Sequence, residues 1–147
     1  MGPNYNLPMV AEPRAKVAWE ALEQAGKYSS QASPAEQAQI AALTKRYEGP
    51  KVLDPSSEMP VFTAWANAMK AVANEFANDL DAQTPYAEAM MNLNAWKLWT
   101  LDGKPAPGTT EIIATLESVL KRAPRHPGAK LCAQNGGRPR RDQTRVV

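Results

Sequence analysis

The sequence is poor in cysteine and histidine and has no long apolar run. Of its 147 residues one is cysteine, Cys132, which excludes a disulfide within the chain. The one histidine is His126. A lone imidazole needs carboxylate or thiolate neighbours before it can hold a metal, and Cys132 follows it in a stretch without apolar periodicity. No metal or other cofactor is therefore expected. No apolar run approaches the ~18 residues of a membrane span. The first residues lack the basic start and apolar stretch of a signal peptide. There is no glycine-rich phosphate loop after a strand, no nucleophile elbow and no paired-cysteine motif. Nothing in the chain points to an enzyme. No segment alternates apolar and polar residues, so no strand is predicted.

What is present is a globular composition, with 44% apolar and 22% charged residues. Proline is frequent at 13, and there are 6 methionines and 4 tryptophans. The length fits one domain. The net charge of +2 conceals an asymmetry, because residues 121–147 carry +7 and residues 1–120 carry −5. The chain is an acidic body with a basic end.

Residues 1–10 are rich in turn formers. A first helix is predicted from near Pro13, with Ala15, Ala18, Trp19, Leu22 and Ala25 on one face and Gly26 near its end. Ser33-Pro34-Ala35-Glu36 is the signature of a capping box and opens a second helix with the stripe Ile40, Leu43 and Tyr47, stopped by Gly49-Pro50. Val61, Trp65, Ala68, Met69, Val72, Ala73 and Phe76 define a third, with Pro60 in its first turn. The fourth runs from about Asp81 to Leu93, with Tyr86, Ala87, Met90 and Met91 inward. Residues 94–108 interrupt the pattern with the turn Asp102-Gly103 and several prolines. A fifth helix begins near Thr109, with Ile112, Ile113, Leu116, Val119 and Leu120 as its stripe, and Pro124 ends it. Residues 132–147 are read as a disordered or loosely docked basic tail after a helical domain of residues 1–131.

Several of these segments resemble one family. Asp79-Leu80-Asp81, Tyr86-Ala87-Glu88-Ala89-Met90, Trp96-x-x-Trp99-Thr100-x-Asp102-Gly103-Lys104-Pro105, Thr109-x-Glu111-Ile112 and His126-Pro127-Gly128-Ala129 are similar, in this order, to a group of bacterial tetratricopeptide-repeat proteins. Gly2-Pro3-Asn4-Tyr5-Asn6 also matches that group, and the resemblance covers roughly residues 2–129. It implies a stack of antiparallel helical hairpins and a general binding role. Two departures stand out. In the relatives the Gly2-Pro3-Asn4 segment is internal, and after Ala129 they continue into a helix with further histidines. Here Lys130-Leu131-Cys132 leads into an arginine-rich end, so a shortened piece of a longer protein is expected and no catalytic residue is carried over.

The candidate residues each have a structural alternative. Glu75, Asp79 and Asp81 lie close in sequence, as acid–base pairs do, but acids at a helix junction usually cap amides. His126 fits a helix junction better than a ligand site. Trp19 and Trp65 fit a core, whereas Trp96 and Trp99 lie on the insertion, which is expected to fold back over the fourth and fifth helices. Arg138, Arg140, Arg141 and Arg145 could touch phosphates, but no aromatics are interleaved to stack on bases.

The reading is an all-α, tetratricopeptide-like stack of about five helices that binds a protein or peptide partner in an inter-helix groove through Tyr86, Met90, Trp96 and Trp99. Self-association through uncapped end helices is expected, and a membrane is not. The alternatives are a fragment without independent function and a nucleic-acid-associated protein acting through its arginines. The compartment stays open: cytoplasmic for the chain as it stands, exported if a preceding segment carried a signal.

Overall fold

A computed structural model of the chain describes residues 11–136. These residues form six α-helices and, as expected, the fold is all-α.

The first helix, α1 (Glu12–Tyr28), has Pro13 in its opening turn, where a missing N–H costs nothing, and fully buries only Ala15 and Leu22. A short 3₁₀ turn (Ser29–Gln31) leads to α2 (Pro34–Leu43). Its capping box is complete: Ser33 Oγ accepts from the Glu36 amide at 3.3 Å, and the Ser33 amide donates to Glu36 Oε2 at 2.8 Å. The expected stripe Ile40, Leu43 and Tyr47 is only half-buried, and Ala42 is the buried residue of α2. The helical course tightens into a 3₁₀ turn at Thr44–Arg46, and Tyr47 is already extended, so helical spacing no longer applies to it.

Helix α3 (Glu58–Glu75) buries Val61, Phe62, Trp65, Ala66, Met69, Val72 and Ala73. Helix α4 (Leu80–Asn92) starts on Asp79, whose Oδ1 accepts from the amides of Asp81 at 2.9 Å and Ala82 at 3.1 Å. This is the capping role foreseen for the acid. Two cores meet at α4. Ala82, Tyr86 and Ala89 pack with Trp65, Ala66, Met69, Val72 and Ala73 of α3. Ala87 and Met91 pack with Ile112, Leu116 and Val119 of the next helix. The alanines at 82, 87 and 89 are fully buried and let neighbouring helices approach from both sides.

Helix α5 (Thr109–Arg122) follows Gly108, whose backbone is left-handed at φ +84° and where an added Cβ would stand 3.0 Å from Met90 Cε. Arg122, in its last turn, donates to the carbonyls of Asn78 at 2.7 Å and Ala77 at 3.4 Å, closing the α3–α4 junction.

A sixth helix, α6 (Pro127–Gly136), adds to the five expected. It carries the expected domain boundary at 131/132 within it. Ala129 and Cys132 are buried against α4 and α5, with Ala133 partly buried beside them. Three small apolar positions over ten residues are too few for a periodicity to stand out from the polar residues around them. Arg138, Arg140, Arg141 and Arg145 lie outside the described residues. Consecutive helices pack on one another from α1 to α6, and α4 also touches α6.

Candidate functional site

The 94–108 insertion is a folded loop, and its anchor is Leu98. This side chain is buried with Ala87, Met91, Ile112 and Leu116, so the loop does fold back over α4 and α5. Its carbonyl accepts from the Ala106 amide at 2.9 Å and from Thr109 Oγ1 at 2.8 Å. Trp99 and Pro105 form an isolated antiparallel bridge. At the tip, Thr100 binds Asp102 Oδ1 and the amide of Lys104, and Lys104 Nζ pairs with Asp102 Oδ2 at 2.7 Å. Asn94 Nδ2 closes the base on the Pro107 carbonyl at 3.1 Å. Trp96 is left-handed at φ +65°, a costly backbone state for a bulky residue. This frame displays two apolar side chains, Trp96 at 73% exposure and Leu101 fully exposed at the tip.

The four anticipated partner contacts separate. Tyr86 is 5% exposed, which corrects the expectation that its ring lines an open groove. Its hydroxyl donates to Glu111 Oε1 at 2.5 Å, and the same oxygen takes Lys70 Nζ at 3.1 Å. The trio ties α3, α4 and α5 together. The Tyr86 hydrogen bond, then Lys70, holds the Glu111 carboxyl below the usual glutamate range. Burial, then the Glu111 carboxylate, pushes the Tyr86 hydroxyl above the ordinary phenol value. Met90 is half-buried between the two cores, so it too is packing rather than open surface. Trp99 is half-buried against the α4–α5 core. Trp96 alone of the four is exposed.

A second site lies between the Thr44–Arg46 turn and α3, where the sequence offered no sign of one. Arg46, the last residue of the Thr44–Arg46 turn, is 4% exposed. Its guanidinium carbon stands 4.1 Å from the Trp65 ring centroid and 5.2 Å from that of Phe62. Its two terminal nitrogens share one acceptor, Asn92 Oδ1, at 3.5 and 3.4 Å. Asn92 is itself buried and donates to the Glu88 carbonyl at 2.7 Å. Burial lowers the Arg46 pKa, and the negative charge of Glu88 opposes that shift. Trp65 Nε1 is buried without a hydrogen-bond partner. Next along the chain, half-buried Tyr47 meets the Trp19 ring edge-on at 6.4 Å.

The other candidates take structural places. His126 Nδ1 accepts from the Ala129 amide at 3.2 Å, and Nε2 faces Asp81 Oδ1 at 3.1 Å. Glu75 is exposed at the end of α3. The Cys132 thiol is pushed up to about 11 by burial and then by the charge of Glu88, so it is a poor nucleophile at neutral pH. Among the described residues no three His, Cys, Asp or Glu side chains gather to hold a metal ion, and no helix is long and apolar enough to cross a membrane. No family model, curated protein or solved structure matches the chain.

Proposed function

We propose that the chain is a non-catalytic helical-repeat scaffold of the tetratricopeptide kind that binds a protein or peptide partner, with the 94–108 loop as its contact. Leu101 carries this reading: a fully exposed leucine at the tip of a loop whose backbone is fixed at both ends. A rigid loop loses little entropy when it docks, and Trp96 on the same loop supplies the large aromatic surface that interfaces favour. The repeat reading draws support from two hairpins of like construction, α3–α4 and α5–α6, each turning within four residues. Tyr86 is buried and bonded to Glu111, which Lys70 also pairs, so its ring is not offered to a partner, and this favours the loop over the groove as the contact.

The test is a displayed peptide library panned on the wild-type chain and counter-selected on a W96S/L101S double variant. Enriched peptides should bind the wild type and lose about tenfold or more in affinity for the variant, at unchanged melting temperature. Peptides that bind both equally, or no enrichment, would contradict the reading. Self-association belongs to the same proposal, since α1 exposes Val17 and Tyr28 at one end of the stack. Light scattering should then give a mass that rises with concentration, and a constant monomer mass would exclude it.

A further inference from the structure

We propose that Arg46 and Trp65 form a binding site for a carboxylate, independent of the loop contact. Hydrogen-bond donors are in surplus at this spot. A guanidinium offers five N–H groups and an indole one. Here two of the five converge on a single amide oxygen, at distances near the limit of hydrogen bonding. The stacked indole, with its ring centroid 4.1 Å away, has none for its own N–H. Arg46 and Trp65 are both more than nine-tenths buried, and the Trp65 N–H is out of reach of bulk water. A buried cation with one weak neutral acceptor is costly, and a donor left without a partner adds to the cost. A ligand that accepts from both removes both costs.

The chemistry of the site selects the ligand. A carboxylate presents two coplanar oxygens, the match for the edge of a guanidinium. The stacking on Trp65 and Phe62 fixes that edge before any ligand arrives. Glu88 places a negative charge near enough to influence Arg46, which weighs against a multiply charged group such as phosphate more than against a carboxylate. Tyr47, next to Arg46 in the chain, meets the Trp19 ring of α1 edge-on, and α1 fully buries only Ala15 and Leu22. The carboxylate could belong to a small free acid or to the end of a peptide chain, and both present the same group.

The indole N–H of Trp65 gives a direct readout in ¹H–¹⁵N spectra of the full chain, assigned with W65F. Sodium acetate, an N-acetylated dipeptide with a free C-terminus, its C-terminal amide, sodium phosphate and sodium chloride are added at matched ionic strength. The Trp65 signal should shift saturably with acetate or the free dipeptide, and neither with the amide nor with chloride. Tighter binding of the dipeptide assigns the site to a chain terminus, and equal or tighter binding of acetate to a small acid. R46M should weaken the response roughly tenfold or more. R46K, which keeps the charge but loses the planar fork, should weaken it as well and covers the case in which R46M fails to fold. Four outcomes would overturn the proposal: no saturable shift, the same shift with chloride, tighter binding of phosphate than acetate, or a response unchanged in R46K. A Trp65–water exchange peak that carboxylates leave untouched would assign the spare donors to a bound water and overturn it too.

Discussion

His126 and Asp81 join the two hairpins of the stack. His126 Nδ1 accepts the Ala129 amide at 3.2 Å, so the proton of the neutral ring sits on Nε2, which faces Asp81 Oδ1 at 3.1 Å. One imidazole thereby caps the start of α6 and ties it to the first turn of α4. The ring is almost covered, while Asp81 stays in water. His126→Ala removes the cap and the tie and should cost about 1–2 kcal/mol, a fall of roughly 3–8 °C in Tm. His126→Asn restores an accepting oxygen and should recover part of the loss. A melting curve unchanged in both variants would contradict this role.

Two of the acids near the α3–α4 junction, Asp79 and Glu75, should behave differently from one another. Asp79 caps α4 through two amides, and Asp79→Ala should destabilise by about 1 kcal/mol in urea. Glu75 is exposed, and Glu75→Gln should stay within about 0.5 kcal/mol of wild type. Equal effects at both positions would show that the acids act as a set.

Within the insertion the order of importance should follow burial. Leu98→Ala opens a cavity between α4 and α5 and should cost about 2–4 kcal/mol. Trp99→Ala should lower Tm clearly but less. Trp96→Gly exchanges an exposed side chain at φ +65° for the residue that suits that backbone, and should be the mildest of the three. Thermal melts rank them. A Trp96 effect as large as that of Leu98 would contradict the assignment of the anchor.

The Tyr86–Glu111 pair predicts two pH limbs. The Glu111 carboxyl is held below its ordinary 4.5, so its contribution is complete above that value and is lost as pH falls through the lower folded value. The Tyr86 hydroxyl is raised above its ordinary 10.0, so its share is complete below pH 10 and is lost at more alkaline pH. Tyr86→Phe should remove about 1 kcal/mol at neutral pH and flatten both limbs in urea midpoints measured across pH. Limbs that keep their slope in Tyr86→Phe would contradict the linkage.

Local signals made α1 to α5 legible in the sequence. The Ser33–Glu36 box and the stripe of α5 are contiguous in the chain, and both recur in the structure. The full course of α6 was not legible because its apolar positions are few and its cap is a histidine rather than the usual serine or aspartate. The Arg46 site was not legible for a different reason. Arg46 meets Asn92 across 46 residues, and its stacking partners lie on α3, so no local window contains the cluster. Tyr86 and Glu111 are likewise 25 residues apart. That bond places Tyr86 inside the stack, whereas an aromatic on a short helix reads equally well as groove lining.

The proposed contact for a partner is the loop and not the groove. The most direct measurement is the Kd of one selected peptide for wild type, L101S and Tyr86→Phe. The expected result is a loss of about tenfold or more in L101S and no change in Tyr86→Phe. Weakened binding in Tyr86→Phe with L101S unchanged would contradict it, and would return the contact to the space between α3, α4 and α5.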